Sequence, residues 1–277
     1  MAFIDDWKNL QTGITRKEVP FFRFFANLLK KHYGDVRYYE VHGYPGQVQF
    51  QSGIWPTKSP VQREIGDLFI VTYSYASRQV RYTVMQNKLE KPTGAQRIFP
   101  SFKFKADIHQ YDLLAFRPDV TSVGSFNLPI DILSGTDYES VGCYGVFYEG
   151  SDHLMDFAYS AARWLTPQSY SNTCRLIMNT FRSECLSQGR EIICTIGIER
   201  FVHHLLSMKI GAPVINASMG GFIRGLVNRA GRDEGSRAPV IDIPQFNQDG
   251  PAYLPEGGFR LLLINATQYE RKWADQI

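Results

Sequence analysis

The sequence predicts a mixed α/β fold with a core that runs helix, strand, strand, strand, helix, strand over residues 17–150. Residues 20–33 have the apolar spacing of an amphipathic helix, and the runs that follow are strand-like, either in alternating polarity or in β-branched and aromatic content. Hydrophobic residues make up 44% of the chain and aromatic residues 14%, which is enough to build a packed core.

The first predicted helix covers residues 20–33, where phenylalanines and leucines share one face and Gly34 ends the helix. Residues 36–44 are rich in valine and tyrosine and are predicted to form a strand. A weaker strand is predicted at residues 47–54. Residues 55–62 contain two prolines and are predicted to be a loop.

The centre of the predicted core is a β-hairpin that spans residues 67–89. Its first strand is β-branched and aromatic, and its second strand alternates in polarity after a short turn. A helix is predicted over residues 108–116, because Pro118 disfavours its continuation. Residues 141–148 are predicted to form the strand after that helix.

The residues after 150 are predicted to form a largely helical elaboration of the core. The predicted elements are helices at residues 155–164, 171–187 and 199–210, and a late strand at residues 260–264. We therefore predict an α/β core at residues 1–150 and a C-terminal elaboration at residues 151–277 that packs on it. No linker separates the two parts, so one continuous domain is the alternative.

The composition of the chain limits the classes of protein to which it can belong. The net charge is +3, from 30 basic and 27 acidic residues, which is too small to indicate a nucleic-acid binder without a local basic patch. The first residues lack a secretory signal pattern, and no apolar run has the length of a membrane span, so we expect no membrane. The four cysteines form no Cys-x-x-Cys pair, which predicts reduced thiols in a cytoplasmic protein and no structural zinc.

Polar residues mark one end of the predicted hairpin. Asp67 opens its first strand, and Gln86 and Lys88 lie two positions apart on its second strand, so they share a face. Mg²⁺ prefers oxygen ligands. The Asp67 carboxylate, the Gln86 amide oxygen and the Asn87 main-chain carbonyl could supply them. Lys88 could then stand over a phosphodiester, where it orients water or offsets charge in the transition state.

Asp67, Gln86 and Lys88, placed on this order of elements, resemble the PD-(D/E)xK nuclease superfamily, and the Gln-x-Lys form resembles its Mrr-like branch of restriction endonucleases. The resemblance covers residues 1–150. It implies a restriction-endonuclease-like fold and a catalytic site at these three residues. The chain departs from the family pattern at Gly66, where proline is usual, and at Gln86, where an acidic residue is usual.

The resemblance also implies a further acidic metal ligand on the first helix, and Glu18 is the candidate. Two alternatives remain open. Residues Thr15 to Glu18 fit a capping box in which Glu18 would be the third helical residue. Glu64 is a rival ligand three residues before Asp67, or a solvated charge in the loop that leads to the strand.

Basic and aromatic residues alternate just after the hairpin, a composition that suits contacts with a nucleic-acid backbone and bases. We predict substrate contacts at Lys91, Arg97, Lys103 and Lys105, with an edge strand as the alternative. The resemblance implies a polar residue near the site on the following helix. Gln110 is the candidate there, and a solvated helix residue is the alternative.

The leading hypothesis is a Mg²⁺- or Mn²⁺-dependent endonuclease that hydrolyses phosphodiester bonds in DNA, in restriction or phage defence. A homodimer is expected, because cutting both strands needs two sites. One alternative is a catalytically inactive module on the same fold that binds nucleic acid or protein. Another is a regulated effector whose C-terminal half gates the site.

Overall fold

The computed structural model describes residues 2–43, 46–54, 59–90, 101–150, 152–179, 185–187, 190–192, 195–235, 239–244, 246–247, 253 and 258–274. Over these ranges the α-helices are α1 (Ala2–Asn9), α2 (Glu18–Tyr33), α3 (Ile108–Phe116), α4 (Ile198–Leu206), α5 (Ala217–Asp233) and α6 (Thr267–Ala274). The strands of the first half are β1 (Val36–Val41), β2 (Gln47–Phe50), β3 (Val61–Glu64), β4 (Leu68–Ser74), β5 (Gln79–Glu90), β6 (Ser101–Asp107), β7 (Thr121–Val123) and β8 (Gly142–Glu149). Those of the second half are β9 (Met155–Ala161), β10 (Thr166–Pro167), β11 (Thr173–Asn179), β12 (Cys185–Ser187), β13 (Arg190–Ile192), β14 (Ile196–Gly197), β15 (Ala212–Pro213) and β16 (Phe259–Asn265).

The main sheet has the strand order β1-β16-β4-β5-β8-β9-β14, and β15 also pairs with β5. It is a mixed sheet, since β16 and β4 are parallel, as are β5 and β8, while the other pairs are antiparallel. Smaller sheets form from β10-β11-β6, from β12-β13 and from β3-β2-β7. The predicted mixed α/β class is therefore confirmed.

Apolar layers cover both faces of the main sheet. Side chains of α1, α2 and α4 pack on one face, and side chains of α3 and α5 pack on the other. Strand β4 is buried at every position, because it lies between the two layers. A strand buried on both faces has a continuous apolar sequence, and the residues from Leu68 to Val71 have this pattern.

Several predicted elements of the first half are confirmed. Helix α2 ends where Gly34 takes a φ of +92° and donates its N–H to Lys30 O at 3.1 Å. The hairpin is β4 and β5, and helix α3 occupies residues 108–116 as predicted. The capping box at Thr15 is wrong, because Lys17 is the N-cap and Glu18 is the first helical residue.

Two helices predicted after residue 150 are wrong. Residues 155–164 form β9 and a short 3₁₀ turn, and residues 171–187 contain β11 and β12. In β11 the buried residues are Cys174, Leu176 and Met178, so the apolar period is two and not 3.6. Of the loop predicted at residues 55–62, residues 55–58 lie outside the described part of the chain, and its last two residues belong to β3, which begins at Val61.

The residues after 150 are not a largely helical layer, because they also supply strands to the main sheet. Strand β16 lies between β1 and β4, parallel to β4, and β9 extends the sheet beyond β8. The sheet therefore draws strands from both sides of residue 150. No helix in the described part of the chain is long and apolar enough to cross a membrane.

Gly66 allows the chain to pass close to β5 just before Asp67. A Cβ at this position would lie 2.5 Å from Val84 Cγ1 and 3.4 Å from Met85 O. We expect Gly66→Ala to destabilise the fold by about 1–3 kcal/mol through overpacking. Thermal unfolding should show a lower melting temperature. Gly53→Ala is the matched control, since its Cβ would meet its nearest atom at 3.5 Å, and equal melting temperatures for the two variants would contradict this account.

Candidate active site

The site forms where β5 continues beyond the start of β4. The pairing of β4 with β5 starts at Leu68 and Met85, whereas β5 runs on to Glu90 beside β8. The N–H groups of Asn87 and Leu89 therefore point to a side that β4 does not cover. We call this side the open edge of β5.

Two carboxylates bind the open edge at alternate residues. Asp67 Oδ2 accepts a hydrogen bond from Asn87 N at 2.8 Å, and Glu18 Oε1 accepts one from Leu89 N at 3.0 Å. In a strand the N–H and C=O of one residue point to the same side, so the Asn87 carbonyl also faces this edge. The structure thus brings together Glu18, Asp67 and Asn87, as predicted from sequence.

Asp67 is held firmly. Its own N–H donates to Met85 O at 3.0 Å, and its carboxylate also accepts a hydrogen bond from the Gln86 side chain. Gln86 therefore presents its amide nitrogen to Asp67, not the oxygen expected of a metal ligand. Rotation about its terminal torsion, which has a broad energy profile, would exchange the two ends.

Lys88 lies among the acidic groups of the site. It shares the β5 face of Gln86, as predicted, and it lowers the pKa of the Glu18, Glu64 and Asp67 carboxyls. It is only partly exposed. A charged amine in such surroundings can meet a phosphate that approaches the open edge.

Arg260 of β16 is a second cation at the site. Its Nη1 lies 3.5 Å from the main-chain oxygen of Asp67, and it lowers the pKa of all three carboxyls. Sequence reasoning missed it because it lies far along the chain from Asp67. The only signal was an arginine next to an apolar strand run, Leu261 to Ile264.

Glu64, named from sequence as the rival of Glu18, joins the site as well. It ends β3, and the adjoining Ile65 donates its N–H to Gly46 O at 2.9 Å. Burial, and after it the charge of Asp67, raises the pKa of Glu64 to about 7. The two sequence alternatives are therefore both near Asp67.

Burial also raises the pKa of the other two carboxyls. For Glu18 the second cause is the charge of Asp67; for Asp67, burial outweighs the lowering effects of the Asn87 N–H and the nearby cations. The charge of Asp67 thus acts on both Glu18 and Glu64, and Lys88 and Arg260 act on all three carboxyl groups. Such a cluster favours an added positive charge.

Asn87 contributes an unsatisfied oxygen. Its side chain is 2% exposed, and its Oδ1 has no hydrogen-bond partner within the described ranges. A buried amide oxygen without a partner costs about 1–3 kcal/mol, which a cation or an ordered water would offset. By strand parity this side chain lies on the face of β5 opposite Gln86 and Lys88, the face that also carries Met85 and Leu89.

The donors present fit a Mg²⁺ or Mn²⁺ ion that keeps part of its water. No three Asp, Glu, His or Cys side chains of the described chain are placed to hold an ion on their own. Mg²⁺ does not require three, because one or two carboxylates with waters are sufficient. The hydrogen bonds of the described residues engage Asp67 Oδ2 and Glu18 Oε1, and none of them uses the second oxygen of either carboxylate.

The predicted substrate contacts fall in three groups. Lys91 and Arg97 lie outside the described residues. Lys103 and Lys105 are exposed on β6. Gln110 is buried, and its Nε2 lies 3.5 Å from Ile65 O, so it is placed to support the segment between Glu64 and Asp67 and not to touch DNA.

The raised pKa of Glu64 gives a testable pH dependence. The ordinary pKa of Glu64 is 4.5 and its pKa in the folded protein is about 7, so the unfolded chain releases this proton at a lower pH than the folded protein does. Stability is therefore lost as pH rises from 4.5 to 7. We expect Glu64→Gln to remove this loss and to raise the melting temperature at pH 8 by roughly 2–4 °C.

Thermal unfolding between pH 4 and pH 8 checks this expectation. Glu90→Gln is the matched control, since Glu90 lies at the end of β5. The control should follow the wild-type curve. Parallel curves for Glu64→Gln and the wild type would show that Glu64 is not in the buried, acidic setting described.

Comparison of the chain with protein-family models, with curated proteins and with solved structures gives no match.

Proposed function

We propose that this protein is a metal-dependent endonuclease that hydrolyses phosphodiester bonds in DNA, on a restriction-endonuclease-like core. The observation that carries the proposal is the pair of carboxylates, Asp67 and Glu18, on alternate N–H groups of the open edge, with Lys88 beside them. Restriction or phage defence is the setting that we propose. A homodimer would provide the two sites needed to cut both strands.

The ion would be held by Asp67 and Glu18, with the main-chain oxygen of Asn87 and the side-chain amide oxygen of Gln86 as further donors. When bound, Mg²⁺ or Mn²⁺ lowers the pKa of water and offsets charge on the phosphoryl oxygens. The residues of the chain supply the rest. Asn87 N and Leu89 N orient the two carboxylates, and Gly66 fixes the approach of Asp67 to β5.

Lys88 would bind a non-bridging oxygen of the scissile phosphate. As the phosphorus becomes pentavalent, charge grows on these oxygens, and a fixed ammonium group stabilises it more than it stabilises the ground state. Arg260 anchors the Asp67 main chain and moderates the repulsion among the carboxylates.

The test is cleavage of supercoiled plasmid by the purified full-length protein in Mg²⁺, in Mn²⁺ and in EDTA. The proposal predicts nicked and linear products with either metal and intact plasmid in EDTA. Absence of cleavage in both metals, on plasmid and on single-stranded DNA, would contradict it.

A second candidate is a catalytically inactive module that binds nucleic acid. The observation in its favour is that Asp67 Oδ2 already accepts from two donors, Asn87 N and the Gln86 amide, so this oxygen is satisfied without a metal. This candidate predicts DNA binding that survives EDTA and no cleavage in any metal. The plasmid assay with a parallel binding assay separates the two.

Gating by the C-terminal half is a further alternative, and truncation at residue 150 cannot test it. Truncation would remove β16 from the middle of the main sheet, and with it Arg260. Loss of activity would then follow from loss of the fold. Substitutions that keep the sheet intact are needed.

A further inference from the structure

The small sheet β10-β11-β6 has a basic outer face. In β6, Phe104 and Ala106 are buried while Lys103 and Lys105 are exposed. Arg175 of β11 is partly exposed and lies directly opposite Lys105 in the antiparallel register. We call Lys103, Lys105 and Arg175 the basic face.

The Lys105–Arg175 pair is unfavourable for the fold by itself. Side chains directly opposite each other in an antiparallel pair have Cβ atoms about 4.5–5.5 Å apart, so like charges there repel. Asp107, at the end of the same strand, is paired with Arg63 at 3.0 Å. No ion pair found in the described part of the chain joins the basic face to a carboxylate. Its charges are therefore available to a polyanion.

Exposed aromatic residues border this sheet around Tyr111. The Phe116 ring lies 6.2 Å from the Tyr111 ring, and the Arg163 guanidinium lies 5.1 Å above Phe116. Tyr170 lies in the connection between β10 and β11. Burial, and after it the charge of Tyr170, raises the pKa of the Tyr111 hydroxyl to about 12. We call Phe116, Arg163 and Tyr170 the aromatic edge.

The aromatic edge is unusually exposed for its chemistry. Phe116 is 46% exposed and Tyr170 is 55% exposed, and Arg163 beside them is also exposed. Aromatic rings and arginine planes of this kind stack on nucleobases. Only unpaired bases offer their faces for stacking by side chains.

The small sheet is linked to the active site through a buried pair of rings. Phe104 of β6 lies 5.5 Å from Tyr144, and Tyr144 is opposite Gln86 in the β5–β8 register. The basic face lies on the opposite side of the small sheet from Phe104, because successive residues of a strand alternate between its faces.

We propose that the basic face and the aromatic edge bind a single-stranded segment of DNA, with its backbone on Lys105 and Arg175 and a base stacked at Phe116 and Tyr170. The proposal rests on the proposed function, because it takes DNA to be the substrate. It adds that the substrate carries an unpaired segment. Its binding does not depend on metal.

The test is fluorescence anisotropy in EDTA with two labelled probes, a single-stranded oligodeoxynucleotide and its blunt duplex. The variants are Phe116→Ala with Tyr170→Ala, and Lys105→Ala with Arg175→Ala. Matched controls are Ile215→Ala, an apolar side chain 65% exposed elsewhere, and Lys30→Ala on the exposed side of α2. Melting temperatures confirm that each variant is folded.

We expect the wild type to bind the single strand more tightly than the duplex. The aromatic double variant should lose roughly tenfold or more in affinity for the single strand and little for the duplex. The basic double variant should weaken binding to both probes and reduce the salt slope by about 0.7 per charge on the single strand. The control variants should match the wild type.

Equal affinities of the wild type and both double variants would overturn the proposal, as would a preference for blunt duplex. A surface that instead binds a second copy of the chain would show a mass change on chromatography that Tyr170→Ala abolishes, without an effect on DNA, and this too would overturn it. Because binding is measured in EDTA, failure here differs from failure of the nuclease assignment, which is judged by cleavage in metal.

Discussion

Replacing Lys88 by alanine is expected to slow DNA cleavage by about 100-fold or more, the loss seen when a fixed donor to transition-state charge is removed. Lys88 lies beside Glu18, Glu64 and Asp67, where an approaching phosphate would meet acidic groups without it. Binding of Mn²⁺ should persist or tighten, because a competing cation is lost. The measurements are plasmid cleavage rate and Mn²⁺ titration by calorimetry.

Two controls sharpen the Lys88 experiment. Lys30→Ala removes an exposed lysine of α2 and should cleave at the wild-type rate. Lys88→Arg keeps the charge but changes its shape and hydration, so only part of the activity should remain. A Lys88→Ala protein that cleaves like the wild type would remove Lys88 from the mechanism.

Neutralising either carboxylate of the open edge is expected to abolish cleavage and, in the absence of metal, to stabilise the fold. Asp67→Asn and Glu18→Gln keep an oxygen that can accept from Asn87 N or Leu89 N. The ordinary pKa values of Asp67 and Glu18 are 3.8 and 4.5, and burial raises the pKa of both carboxyls in the folded protein. The folded protein is therefore destabilised as the pH rises above these ordinary values, and the amide variants avoid this loss of stability.

Activity and melting temperature measured together test this expectation. At pH 8 in EDTA each variant should melt at or above the wild-type temperature, with the difference absent near pH 3.5. Added Mg²⁺ should raise the melting temperature of the wild type and not that of the variants. Asp5→Asn on α1 is the control, and a large drop in stability for Asp67→Asn would instead indicate a purely structural carboxylate.

Much of the site could be predicted because its chemistry is local to one hairpin. Asp67, Gln86 and Lys88 belong to two neighbouring strands, so side-chain parity and a short turn fix their relation. Glu18 was harder, since a capping role competed with a ligand role. The first turn of α2 places the Glu18 carboxylate at Leu89 N. The N-cap residue, Lys17, makes no side-chain capping hydrogen bond.

Strands in the second half of the chain were predicted as helices for a physical reason. β11 is apolar at alternate positions but polar near its start, and the sequence there also has residues at helical spacing. Which period applies depends on β6, the partner strand far earlier in the chain. The place of Arg260 in the site could not be predicted for the same reason, because its neighbours in the sheet are set by long-range strand pairing.

Fold class alone does not decide function, since one architecture hosts many chemistries. The case for a nuclease rests on the open edge of β5. Asp67 and Glu18 accept hydrogen bonds there from Asn87 N and Leu89 N, and burial raises the pKa of both carboxyls. These features make sense if the edge receives a cation and a phosphate.

The most direct measurement is the Mg²⁺ dependence of plasmid cleavage by the wild type and by Asp67→Asn, purified in parallel so that a contaminating nuclease would appear in both. We expect nicked and linear products that increase with Mg²⁺ for the wild type and remain at background for the variant. Equal cleavage by the two proteins, or none by the wild type at any Mg²⁺ or Mn²⁺ concentration, would contradict it.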